Sequence, residues 1–118
     1  MLEESTALYL ARRDAYAAFL TAADAESHVA WFREDGRYPD EAAAVAAVDR
    51  AYAVTRAAFN VIEVEGVGPA AQGRTLLERL AALHKDGGAR PDWKDVKQAR
   101  EAFVGAAQDA LRELRGSG

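Results

Sequence analysis

Apolar residues recur along this chain at steps of three and four, in four stretches separated by glycine- and proline-bearing breaks. That period marks amphipathic α-helices. In the first stretch Leu8, Ala11, Ala15, Phe19, Ala22, Val29 and Phe32 form one stripe, with Tyr9, Tyr16, Leu20 and Ala23 beside it. The pattern predicts a helix over 5–34, with Ser5 as N-cap and Glu3 and Glu4 near the positive end of its dipole. Gly36 suits a left-handed C-cap and Pro39 cannot continue the ladder. Any kink is expected at Ser27-His28.

The second helix is predicted over 40–64. One face reads Val45, Val48, Tyr52, Phe59, Ile62, and another reads Ala44, Ala47, Ala51, Val54, Ala58, Val61. Apolar character covering more than half the circumference predicts a central helix with neighbours on two sides. The β-branched run Val61-Ile62-Glu63-Val64 would also suit a strand, but no other segment offers it a pairing partner. Gly66-Val67-Gly68-Pro69 is the clearest break, with Pro69 placed as the first residue of a third helix over 69–85. Its Leu76, Leu77, Leu80 and Leu83 face inward. A flexible loop is expected over 85–91. A fourth helix, capped by Asp92, runs over 92–115 with Val96, Phe103, Ala107, Ala110 or Leu111, and Leu114 inside. Arg112 and Arg115 suit its negative end, and a short tail follows.

Short connections favour antiparallel neighbours, so residues 1–118 are expected to form one all-α domain, an antiparallel up-down four-helix bundle with a long first helix. Alanine supplies much of the 50% apolar content, which makes the chain alanine-rich and its core thin. Homodimerisation through spare apolar faces of the first two helices follows as an expectation.

Charge alters the picture in one respect. The net charge is -4, but the chain up to Gly66 carries 6 basic and 12 acidic residues, against 9 and 7 from Val67 onward. An acidic total argues against generic nucleic-acid binding. Cysteine is absent, which excludes disulfides and thiolate metal sites. No apolar run approaches the ~20 residues of a membrane crossing. The start, Met1-Leu2-Glu3-Glu4, is acidic where a signal peptide is basic. A cytoplasmic chain without cofactor is the expectation.

Topology concentrates the rare side chains. In an antiparallel bundle, the end of the first helix, the start of the second, the end of the third and the start of the fourth share one pole. That pole collects His28, Trp31, Phe32, Tyr38, His84 and Trp93. The aromatics either plug the open end of a thin bundle or anchor a protein partner, the role in which Trp and Tyr dominate. Trp31, Phe32, Tyr38, Trp93 and His28 are accordingly the candidate partner-binding residues.

Catalytic signals are sparse. The spacing Arg79-x4-His84 is similar to that of HEPN domains, helical RNA-cleaving proteins that pair arginine and histidine across a dimer. Leu80 departs from the residue that often follows the arginine there, and a histidine closing a helix also complements the dipole. The resemblance makes Arg79 and His84 weak catalytic candidates for an RNA-cleaving alternative. His28 and His84 with Glu26 or Asp35 would be a minimal metal set, but no ligand spacing supports it. Arg90, Lys94, Lys97 and Arg100 could track phosphates. Asp92, Asp95 and Glu101 among them favour a solvated face with local ion pairs.

The segment Phe59-Asn60-Val61-Ile62-Glu63-Val64-Glu65-Gly66 before Gly68-Pro69, and the later Ala99-Arg100-Glu101-Ala102-Phe103-Val104, resemble small all-helical actinobacterial proteins without an assigned activity. Val67-Gly68 is an insertion relative to their pattern. The resemblance implies an all-helical fold and nothing about function. The reading is therefore a non-enzymatic helical interaction or regulatory module, self-association included.

Overall fold

The computed structural model describes residues 2–66, 68–84 and 93–116. These form α1 (Leu2–Glu34), α2 (Glu41–Glu65), α3 (Ala70–Leu83) and α4 (Trp93–Gly116), with no strand among the described residues. The fold is the expected all-α, up-down four-helix bundle with a long first helix. Asp92, Arg90, Val67, the 85–91 loop and the tail residues 117–118 lie outside the described residues.

Local chemistry sets most boundaries. At the end of α1 the amide of Arg37 donates to the Phe32 carbonyl (3.0 Å) and that of Gly36 to Arg33 (3.2 Å). Gly36 takes φ 70°. This is a Schellman ending, in which glycine accepts the left-handed conformation and frees no carbonyl. Asp40 begins α2, its carboxylate accepting from the Ala43 amide at 2.7 Å. Gly66, at φ 67°, closes α2, its backbone N–H donating a hydrogen bond to the Ile62 carbonyl.

Two expected boundaries are corrected. Ser5 is not a cap, because α1 already starts at Leu2: Glu3 and Glu4 are good helix formers at the favourable end of the dipole, so the first turn extends through them. The third helix covers Ala70–Leu83, with Pro69 as N-cap and His84 as C-cap. Helix α1 runs unbroken through Ser27-His28.

Helix α1 packs against each of the other three, and so does α3, whereas α2 and α4 do not touch. The cross-section is therefore a rhombus with α1 and α3 on its short diagonal. Helix α2 has the expected neighbours on two sides, α1 and α3, but the central positions belong to those two helices. Alanines on several sides made α2 look apolar all round, but they carry too little volume to require a neighbour on each. Val45 and Tyr52, expected inside, are exposed, as are Val54, Val61 and Val64. Ala44, Val48, Thr55, Phe59 and Ile62 make the buried face.

Phe19, Phe59 and Phe103, from α1, α2 and α4, are fully buried, with Phe19 lying 5.5 Å and 5.0 Å from the other two ring centroids. From α3, Gly73 lies against this triad: a Cβ there would sit 2.7 Å from a Phe59 ring atom. Leu76, Leu77, Leu80 and Leu83 bury the inner face of α3 as the sequence predicts. The molecule is 54 Å long, close to the ~50 Å of a 33-residue helix. Arg12 of α1 pairs with Glu65 at the end of α2 (3.1 Å), so the turns of α1 before it run beyond α2. Leu8, expected inward, is exposed there together with Leu10.

Candidate functional site: the aromatic pole

The expected gathering of side chains occurs. Trp31, near the end of α1, and Trp93, the first residue of α4, line one cleft of about 300 Å³ together with Glu34 and Asp35. Trp31 is 44% exposed, whereas Trp93 is half-buried against the core. Phe32 packs edge-on to Trp31 at 5.9 Å, and exposed His28 stacks over Phe32 at 6.2 Å. Tyr38 is half-buried in the α1–α2 turn. A plug would hide its largest ring, so this pole is an open cleft with aromatic walls.

Arg37 completes it. Its guanidinium lies 4.8 Å from the Trp31 ring centroid and 5.0 Å from that of Phe32, and Nε donates to Asp35 at 2.8 Å. The Schellman ending builds this contact directly, since it sets residue 37 beside residue 32. A cation over an indole face gains from the ring quadrupole, and the carboxylate fixes its plane.

Behind the rings lies a polar chain that the sequence reading did not assemble. Glu26 of α1 is fully buried, and its Oε2 is 2.8 Å from Nε2 of His84, whose side chain is 10% exposed. The other Glu26 oxygen and His84 Nδ1 are buried without hydrogen-bond partners among the described residues. Arg33 donates to the His84 carbonyl (3.4 Å) and to Glu41 at the start of α2 (2.6 Å). Glu26, His84, Arg33 and Glu41 thus bind α1, α2 and α3 beneath the pole. A signal existed: Glu26 falls on the stripe between Ala22-Ala23 and Ala30, all buried. A charged residue on an inward stripe needs a partner.

The weak catalytic pair gains nothing from this arrangement. Arg79 is exposed on α3, while the imidazole Nε2 of His84 is held by Glu26. The suggested metal set is dispersed, with His28 out on the surface and His84 inside. No group of three His, Asp or Glu side chains converges as ligands among the described residues. Of the basic stripe on α4, Arg100 is tied to Asp24 of α1 through Nε (2.8 Å) and Nη2 (3.0 Å). That bond raises its pKa and leaves it a structural cation. Comparison with protein-family models, curated proteins and solved structures finds no match to this chain.

Proposed function

We propose that this chain is a non-enzymatic helical interaction module, and that its aromatic pole binds a protein partner through a basic side chain, arginine above all. The observation that carries the reading is Arg37, a guanidinium already seated on Trp31 and Phe32 and bonded to Asp35. The cleft between Trp31 and Trp93 offers a second place of the same kind, with aromatic walls and the Glu34 and Asp35 carboxylates at its edge. Indole faces and carboxylates suit a cation with a flat, weakly hydrated head. The acidic first half of the chain steers such a partner inward. An acidic helical domain that neutralises or regulates a basic partner is the concrete form. A second copy of the chain is among the partners this reading includes.

The setting is cytoplasmic in this proposal, which the cysteine-free composition suits. No helix among the described residues is long and apolar enough to cross a membrane. The RNA-cleaving alternative finds no supporting geometry, because the histidine it needs is engaged by Glu26.

Affinity capture from native cells, followed by mass spectrometry, tests the proposal with three baits: wild type, Trp31→Ala, and Glu34→Gln with Asp35→Asn. Proteins bearing an exposed arginine-rich segment are expected on the first and lost from the other two. A protein set retained equally by all three would refute the pole as the binding surface.

A further inference from the structure

The outward face of α2 carries a second, regular apolar seam. From Ala47 the positions Arg50, Val54, Ala57, Val61 and Val64 follow at alternating steps of three and four. This is the 3.5-residue repeat that lets one helix lie along another. None of them belongs to the buried face, and Val54 and Val61 are 57% exposed, Val64 87%. Neither α4 nor any other described helix covers this side.

We propose that a second copy of this chain covers it, with the two α2 helices antiparallel about a two-fold axis. The proposal rests on reading the chain as an interaction module, but it uses a surface separate from the aromatic pole. Three features select this occupant. The first is size. The seam is small at its start, where Ala43 and Ala47 lie, and bulky at its end, where Val61 and Val64 lie. A parallel pair would set alanine on alanine and valine on valine, leaving a gap at one end. The antiparallel pair sets Ala47 against Val64 and Ala57 against Val54, so every layer except the two that pair Arg50 with Val61 holds one small and one branched side chain.

Charge is the second. Arg50 interrupts the seam and has no ion-pair partner among the described residues. A parallel pair would bring Arg50 onto its own copy. The antiparallel register carries it to the partner's Val61, one turn from Glu65 and the negative end of that helix. One charged seam position sets register and orientation at some cost in affinity.

Area is the third. The bundle is about 20 Å across, and the seam from Ala47 to Val64 spans roughly 26 Å of helix. An antiparallel copy laid over α2 and the flank of α1 covers roughly 500 Å² on each partner, about 1,000 Å² in all, which reaches the lower bound of a specific interface. The groove between the two helices, about 80 Å³ and lined by Ala11, Ala15 and Val61, lies beside the seam and seats the approaching side chains.

Sedimentation equilibrium on the full chain gives the first test. Wild type is expected at twice the 12.7 kDa chain mass, and Val61→Glu is expected to weaken dimerisation at least about 100-fold while keeping its helical circular dichroism. The cysteine-free chain permits a second test that survives misfolding of that variant. Under mild oxidation, Ala47→Cys combined with Val64→Cys should form covalent dimers, and neither single variant should. Dimers from each single variant would overturn the antiparallel arrangement. A wild-type monomer would overturn the dimer and leave the pole standing, since Trp31→Ala capture tests that surface by itself.

Discussion

Glu26 and His84 meet inside the bundle, a carboxyl oxygen 2.8 Å from an imidazole nitrogen, though they stand 58 positions apart in the chain. Among the described residues each side chain is the other's only hydrogen-bond partner, at atoms that water reaches poorly, because Glu26 is fully buried and His84 nearly so. The contact joins the last third of α1 to the C-cap of α3.

Removing one member should therefore cost far more than an exposed pair would. His84→Ala leaves the Glu26 carboxyl buried without a donor, and a loss of about 2–4 kcal/mol is expected. Urea unfolding measures it. Replacing both residues by leucine should restore much of the stability, since two apolar side chains need no partner. A midpoint unmoved by His84→Ala would contradict the buried contact.

Gly73 and Gly105 should respond to alanine with opposite signs. Alanine in a helix normally gains about 1 kcal/mol over glycine. At Gly105 of α4 nothing lies within 4 Å of the added Cβ, so Gly105→Ala is expected to stabilise by about 0.5–1 kcal/mol. At Gly73 the Cβ meets the buried Phe59 ring at 2.7 Å and Phe103 at 3.3 Å. Gly73→Ala should destabilise by about 1–3 kcal/mol through overpacking. Thermal melts of both variants decide the matter, and equal shifts would contradict the close approach at Gly73.

Tyr16 gives the fold a sensitivity to alkali. Burial raises its hydroxyl pKa above the ordinary 10.0, the Arg12 guanidinium opposes the shift, and Glu65 adds to it. The folded state keeps this proton longer than the unfolded chain, so its contribution is complete below about pH 10 and is lost as pH climbs through the folded value. Tyr16→Phe has no such proton. Its stability should fall less steeply than wild type between about pH 9 and 11. Parallel curves from denaturant titrations would show a solvated hydroxyl instead.

Arg37 competes with the partner proposed for the pole. Arg37→Ala should cost the free protein less than about 1 kcal/mol, the scale of an exposed cation–π contact. It should also shift the tryptophan emission and raise the affinity of a captured partner. Weaker binding by this variant would mean that Arg37 itself touches the partner.

Much of this molecule could be read from its residues. The breaks at Gly36, Gly66 and Pro69 were plain because glycine and proline impose backbone geometry locally. The leucine face of α3 was plain because leucine leaves no ambiguity about which side is apolar. The meeting of Trp31 and Trp93 followed from alternating helix directions alone. On α2, by contrast, two apolar stripes coexist, and periodicity cannot tell which has a neighbour. The pairing of Glu26 with His84 was hidden for another reason: a glutamate among alanines looks solvated until the helix opposite is known. Gly73 was silent because its role lies in a ring supplied by α2.

Short turns join neighbours along this chain, and one of them has a kinetic consequence. The turn over 35–40 closes α1 onto α2 with few residues to order, and its Schellman ending forms from local amides alone. Helical hairpins of this sort assemble with little loop entropy, and chains dominated by such nearby pairings fold in microseconds to milliseconds. Rapid closure brings Phe19 onto Phe59 early, which limits aggregation during synthesis even in a protein that exposes Val45, Val54, Val61 and Val64.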